Sequence, residues 1–487
     1  MTISRHALRM GRITVAAVAF AAATALFTAF GMSVPRVAVW IARIQLLPAA
    51  LSFSMVIFVG WIIATLIFGR IYCSTVCPMG TLMDLCARTR RRFRPRQYHY
   101  KKPSPALRNV VLAVTAASLM AGTTALAAFI DPYSAFGRIA ADIVRPAWAV
   151  VAAGSAKMAG ASLLGFAIAL ATLLVVGLVA RSRGRAICTS FCPVGTTLGL
   201  VSRYSIFHID INTDKCIQCR KCEHACKSHC IDLESHVIDG ARCVVCFDCL
   251  PVCPNDAISY TPESHRLAMP MMIRAGRRRE TAPTAFDGPR RLDRRRFLAA
   301  GIVAAVAPVA LRADRAARSL AAAGGRTMPS PEFPVCPPGA PDRKTFLSRC
   351  TACGLCVSHC STGVLRPSLG EYGALNALRP VMRFDIAACS FDCSRCNNLC
   401  PTGALEPLTI AEKRQTVIGR ANVIAGNCIG CGACAKACPR KAITMTELAS
   451  GHRLARVDEA LCIGCGVCQN VCPAYPYKAI YVDGLSQ

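Results

Sequence analysis

The stretch CIGCGACAKACP, residues 428–439, spells Cys-x-x-Cys-x-x-Cys-x-x-x-Cys-Pro, and its rhythm recurs along the chain. Cys216/Cys219/Cys222/Cys226, Cys243/Cys246/Cys249/Cys253, Cys350/Cys353/Cys356/Cys360 and Cys462/Cys465/Cys468/Cys472 repeat it, and Cys389/Cys393/Cys396/Cys400 differs only by one extra residue after its first cysteine. These five runs and Cys428/Cys431/Cys434/Cys438 take up 24 of the 31 cysteines. Thiolates at i, i+3 and i+6 wrap three corners of a [4Fe-4S] cube, and a fourth cysteine, often followed by proline, leaves to ligate the partner cube. Pro254, Pro401, Pro439 and Pro473 hold that proline position, whereas Lys227 and Ser361 depart from it. Zinc prefers two Cys-x-x-Cys knuckles far apart, and disulfides impose no such rhythm. The 24 cysteines are therefore expected to bind six [4Fe-4S] clusters.

The mean hydropathy of +0.40 is unusual beside so many metal-ligand cysteines. It comes from the first 200 residues, where apolar stretches near 13–34, 46–68, 107–130 and 163–180 approach the ~20 residues that cross hydrocarbon as a helix. Four crossings return the chain to its starting side. Nine Lys/Arg against one Asp between Arg70 and Lys102, with the cluster Arg181, Arg183 and Arg185, mark that side as cytoplasmic. The net charge of +30 is explained by topology and anionic lipid, so no nucleic-acid partner is expected. The fold class expected is an α-helical membrane bundle of four spans plus α+β ferredoxin-like bis-[4Fe-4S] domains. Its boundaries are 1–205 for the membrane domain, 206–262 for a two-cluster domain, 263–345 for a basic linker and 346–487 for a four-cluster domain.

Two further cysteine pairs, Cys73/Cys77 and Cys188/Cys192, sit at the cytoplasmic ends of the second and fourth stretches in matched CxxxCP motifs. Cysteines at i and i+4 share a helix face, so the pairs would meet as four thiolates if the two spans pack together. Such a quartet suits a seventh cluster or a redox dithiol site. Cys86, Cys230 and Cys336 have no comparable context. In the linker, nine arginines between 274 and 296 end in Arg294-Arg295-Arg296-Phe297-Leu298, ahead of 13 small or apolar residues. That segment, 294–311, is similar to a twin-arginine export signal, whose machinery moves folded, cofactor-loaded proteins. Whether the four C-terminal runs pair in sequence or as nested pairs is not set by spacing.

Residues 1 to about 260 resemble the NapH-type membrane quinol dehydrogenase component, with its four spans, CxxxCP motifs and two-cluster tail. Residues from about 290 onward resemble the NapG-type (MauM/NapG-like) polyferredoxin, in "VCPPGAPDRKTFLSRCTACGLC" at 335–356 above all. The resemblance implies an inner-membrane protein that takes electrons from quinone/quinol and passes them through the clusters to a periplasmic redox protein, a cytochrome or reductase. A redox sensor or an assembly factor for a respiratory reductase or oxidase is the alternative, though no output domain is visible. The four stretches hold no histidine and the chain no CxxCH, so neither a bis-histidine haem b nor a c-type haem is expected.

Overall fold

The computed structural model describes residues 5–29, 36–52, 54–93, 98–101, 105–121, 123–153, 163–262, 331–448 and 451–486. The arginine-rich segment 294–311, with Arg294 and Arg295, lies outside the described residues.

The N-terminal part is helical. Its elements are α1 (Arg5–Thr28), α2 (Arg36–Arg43), α3 (Leu46–Leu51), α4 (Met55–Phe68), α5 (Ile71–Thr75), α6 (Pro78–Phe93), α7 (Pro105–Met120), α8 (Ala125–Ile130), α9 (Pro132–Ile139), α10 (Arg145–Ala153), α11 (Leu163–Arg183), α12 (Ala186–Ser190) and α13 (Pro193–Val201). Among the described residues two helices, Arg5–Thr28 and Gly165–Arg183, are long and apolar enough to cross a membrane; the other two expected spans form the shorter apolar helices Met55–Phe68 and Pro105–Met120. The stretch 46–68 is split where α3 ends at Ser52 and α4 begins after Ser54, and 107–130 is split between α7 and α8.

The connections between these stretches are not surface loops. Tyr133, Phe136 and Ile139 of α9 are fully buried, and Phe136 packs edge-on to Phe20 of α1 at 5.4 Å. Asp131 caps α9, its carboxylate accepting from the Ser134 amide at 2.7 Å, with Pro132 preset at the first helical position. Gln45, between α2 and α3, is also buried and accepts a hydrogen bond from the Tyr72 hydroxyl at 2.7 Å. Both segments fold back into the helical core because each carries apolar side chains and a satisfied polar anchor.

The 206–262 domain is closed by β1 (Phe207–Ile211) pairing antiparallel with β4 (Ile258–Pro262), in the register Ile209 to Tyr260. Between them lies the short hairpin of β2 (Ile231–Asp232) and β3 (Val237–Ile238). In the C-terminal part, β5 (Leu365–Pro367) pairs with β6 (Pro380–Met382), β7 (Gly419–Val423) with β10 (Ile480–Gly484), and β8 (Ile443–Glu447) with β9 (Arg453–Val457), all antiparallel. These units are too small for an apolar core of ordinary size, and cysteines make up much of what is buried in them. Residues 331–345, assigned above to the linker, belong with this part: the Phe333 amide donates to Asp483 and the Met382 amide to the Val335 carbonyl.

The two ferredoxin-like parts meet opposite ends of α1. Arg5 and Arg9, in its first turns, pair with Asp256 and Asp248 of the 206–262 domain. At its other end, Phe27 and the Cys353 carbonyl close on Gly137, where a Cβ would lie 2.4 Å from that oxygen. Eighteen helical residues separate Arg9 from Phe27, a rise of about 27 Å, close to the thickness of a bilayer's hydrocarbon.

Candidate iron-sulfur centres

Each regular run bends its three leading cysteines round one point by placing the residues on either side of the second cysteine in the left-handed region. These are Gln218 and Arg220, Val245 and Phe247, Ala352 and Gly354, Gly430 and Gly432, and Gly464 and Gly466, with φ between 50° and 77°. The opened run is held differently. Lys413 donates its ammonium to the Ser390 carbonyl and Arg414 reaches Asp392 at 2.6 Å, so the helix Ile410–Gln415 braces the extra residue.

The fourth cysteine crosses to the partner in every pair. Cys438 lines one cavity with Cys462, Cys465 and Cys468. Cys472 lines another with Cys428, Cys431 and Cys434, and Cys360 shares a third with Cys389, Cys393 and Cys396. Cys400 stands beside Cys350, Cys353 and Cys356, whose thiols burial and mutual repulsion push up. In the 206–262 domain Cys253 faces Cys216, Cys219 and Cys222, and Cys226 faces Cys243, Cys246 and Cys249. The C-terminal runs therefore pair in sequence, 350 with 389 and 428 with 462, and not as nested pairs. Among the described residues no three His, Cys, Asp or Glu side chains converge closely enough for a single metal ion. Four cysteines around a cavity instead fit a cube, whose iron atoms hold their thiolates apart.

Cys73, Cys77, Cys188 and Cys192 are buried together in the helical core. They are brought there by a repeat longer than the CxxxCP motif, GRIYCSTVCPMGT at 69–81 and GRAICTSFCPVGT at 184–196. The arginines of the repeat cross over. Arg185 donates to the Cys73 carbonyl at 2.7 Å and Arg70 to the Cys188 carbonyl at 3.2 Å. Cys192 caps α13, its sulfur accepting from the Gly195 amide at 3.3 Å. Gly80 and Gly195 allow each turn to close, since a Cβ would lie 2.5 Å from the Cys73 carbonyl and 2.3 Å from the Cys188 carbonyl. Burial pushes the Cys188 thiol up to about 11 although Arg185 opposes it, and a metal would favour the thiolate over the proton.

Sequence reasoning passed over the charges that tie this quartet to the 206–262 domain. Asp84 of α6 is buried and pairs with Arg12 at 3.1 Å, Arg185 at 2.9 Å and Lys227 at 3.4 Å. Lys227, the residue that replaces proline after Cys226, also bonds Asp248 at 2.8 Å, and Asp248 bonds Arg9. These cations hold the Asp84 carboxyl well below the usual range against the burial that would raise it. Arg70 extends the same tie to the Ala241 carbonyl at 3.0 Å. The only forewarning was the Gly-Arg pair shared by both repeats. Asp84→Ala would leave three buried cations short of their partner, and the expected loss is about 3–5 kcal/mol. Thermal unfolding in detergent reads it; an unchanged midpoint would show that the network carries no stability.

Cys230, expected to be a bystander, lies beside a run: its sulfur is 3.4 Å from that of Cys226, and its thiol lowers the Cys226 pKa by hydrogen bonding. Cys336 packs in the hydrophobic cluster that holds Cys350 and Cys400, while Cys86 lies in the helical core. Cys336 accepts from the Tyr372 hydroxyl at 3.5 Å, and Cys86 packs against Gly177.

The 4Fe-4S dicluster domain family matches residues 349–405, 381–439 and 427–475. A 4Fe-4S binding domain family matches 52–97 with 161–212, spanning both CxxxCP repeats, and another matches 213–228. The putative electron transport protein YccM of Escherichia coli is 27% identical over 43% of this chain and 55% of its own length. The ferredoxin-type protein NapH of the same species is 27% identical over 44% of this chain and 69% of its own. The methylamine utilization ferredoxin-type protein MauN of Paracoccus denitrificans is 31% identical over 38% of this chain and 57% of its own. The homologues are ferredoxin-type electron-transport proteins. The chain thus spans about half to two thirds of these relatives, and no solved structure matches it. It carries iron-sulfur binding domains and is similar to ferredoxin-type proteins such as NapH and MauN, and the two long apolar helices among its described residues are consistent with a membrane.

Proposed function

We propose that the chain is a multi-pass inner-membrane relay that takes electrons from quinol and passes them to a periplasmic redox protein. Its 24 run cysteines would hold six [4Fe-4S] clusters, and Cys73, Cys77, Cys188 and Cys192 a seventh. Bound there, the clusters supply one-electron exchange over a wide range of potential.

The observation that carries this reading is the continuity of one buried core. The quartet lies in that core together with Tyr72, Tyr133 and Phe27, while Cys246 of the 206–262 domain and Cys353 of the C-terminal part both pack against it. The protein's own side chains set up the order. Arg185 neighbours Cys188 on one side and Cys246 on the other. Tyr72 neighbours both Cys77 and Asp131, and Tyr133 neighbours both Asp131 and Cys353. Further out, Cys356 neighbours Cys396, and the Cys389 amide donates to the Cys465 carbonyl at 3.0 Å. The centres form a single file, which suits conduction better than sensing.

Four crossings remain part of the proposal. Met55–Phe68 and Pro105–Met120 would complete theirs with help from α3 and α8. The reading is tested by metal content. Anaerobically prepared protein is expected to hold about 28 iron atoms, falling to about 24 when Cys73 and Cys188 are both changed to serine. A content of about 24 in both proteins would remove the seventh site, and zinc in place of iron would remove the whole reading.

A further inference from the structure

A relay in single file has two ends, and they are marked on the surface. Of the 24 run cysteines only Cys219 and Cys431 are exposed. Cys431 belongs to the outermost C-terminal group and suits delivery to the acceptor proposed above. Cys219 belongs to the group Cys216/Cys219/Cys222/Cys253, whereas Cys246, of the other group in its domain, faces the helical core. A path that ran only from quinol to the periplasm would leave the Cys219 end without a use.

The loop around Cys219 differs from the others in what its left-handed positions carry. The runs beginning at 428 and 462 place glycine on both sides of the second cysteine. The run beginning at 243 places Val245 and Phe247 there, and both are buried, Val245 against Gly69 and Phe247 edge-on to Tyr260 at 5.1 Å. Their strain is offset by packing. Gln218 and Arg220 are exposed, and apart from the hydrogen bond of Gln218 to His236 at 3.4 Å no packing contact given for them among the described residues offsets the roughly 1–2 kcal/mol that a side chain costs in that conformation. Beside them Ile217 is 61% exposed, and the exposed cations Lys215, Arg220 and Lys221 form no ion pair among the described residues.

We infer that the surface of Ile217, Gln218, Arg220 and Lys221 is a docking port for a small acidic one-electron carrier protein, giving the relay a second partner on the side of the 206–262 domain. The cations steer an acidic rim onto the loop, and Ile217 excludes water beside Cys219. No bond forms or breaks: one electron leaves the reduced centre of the carrier and enters the group held by Cys216, Cys219, Cys222 and Cys253, or the reverse, according to potential. The inference rests on the reading of the runs as cluster ligands.

The test uses the full cluster-loaded chain in detergent and an acidic [2Fe-2S] ferredoxin as probe. Its binding is measured by calorimetry at low salt, and its reoxidation by stopped-flow absorbance. The double variant Arg220→Gly with Lys221→Gln gives the loop the glycine found at 432 and 466, so folding is spared. Binding and the second-order rate are expected to fall about tenfold and to lose most of their salt dependence. Iron content and quinol-driven reduction should not change. Lys436→Gln with Arg453→Gln, at the Cys431 end, should leave most of the binding in place. Unchanged binding in the Arg220/Lys221 variant, or loss only in the Lys436/Arg453 variant, would overturn the port. If quinol fails to reduce the protein while the ferredoxin still docks through Arg220, the quinol reading falls and the port stands.

Discussion

Replacing Cys77 and Cys192 together by serine is expected to abolish quinol-driven reduction of the clusters held by the six runs, while dithionite still reduces them. The argument rests on position. The Cys192 sulfur accepts the Gly195 amide at the start of α13, and Cys77 meets Gly80 in the same way at the start of α6. Serine is a good N-cap, so the variant keeps both helix starts and the crossed arginines. It removes only the thiolates. The run cysteines lie elsewhere, and their load of about 24 iron atoms should survive. Electron paramagnetic resonance after quinol addition would then show oxidised clusters in the variant and reduced ones in the parent. Reduction by quinol at the parent rate would make the CxxxCP repeats structural.

The second large effect is topological. In intact spheroplasts, protease is expected to digest residues 331–487 and to spare 206–262, with the latter cut only after lysis. The two parts meet α1 at points about 27 Å apart, and in the proposed topology the basic residues of 70–102 and 181–185 put the Arg9 end on the cytoplasmic side. Arg294→Lys with Arg295→Lys should trap the C-terminal part inside if the twin-arginine-like segment exports it. Protection of residues 346–487 in intact spheroplasts would put every cluster on one side and favour a cytoplasmic donor or acceptor.

The cofactor chemistry was legible because a cluster loop is a local object: three thiolates within seven residues and a fourth nearby. The crossing of that fourth cysteine follows from the same spacing. Which runs pair does not, since it depends on how strands such as Gly419–Val423 and Ile480–Gly484 close on each other across the chain. The apolar stretches were visible as composition, but their breaks at Ser52 and at Thr123 and Thr124 were not, because hydropathy averages over a window longer than the break. Tyr133 and Gln45 were missed for a related reason. A short segment between two spans reads as a loop unless its polar groups find partners inside, and those partners, Tyr72 for Gln45 and Ser134 for Asp131, are known only from the fold. Lys227 shows the same limit from the other side: its departure from proline was legible, and its reason, an ammonium shared by Asp84 and Asp248, was not.

The central claim is that electrons enter this file of centres from quinol within the membrane domain. It is tested most directly by adding a menaquinol analogue to the purified, oxidised protein in detergent under anaerobic conditions and following the clusters by electron paramagnetic resonance. The account predicts that signals of reduced [4Fe-4S] clusters appear within seconds to minutes and that quinone accumulates at half the number of electrons taken up. Clusters that stay oxidised with quinol, yet reduce fully with dithionite, would contradict it.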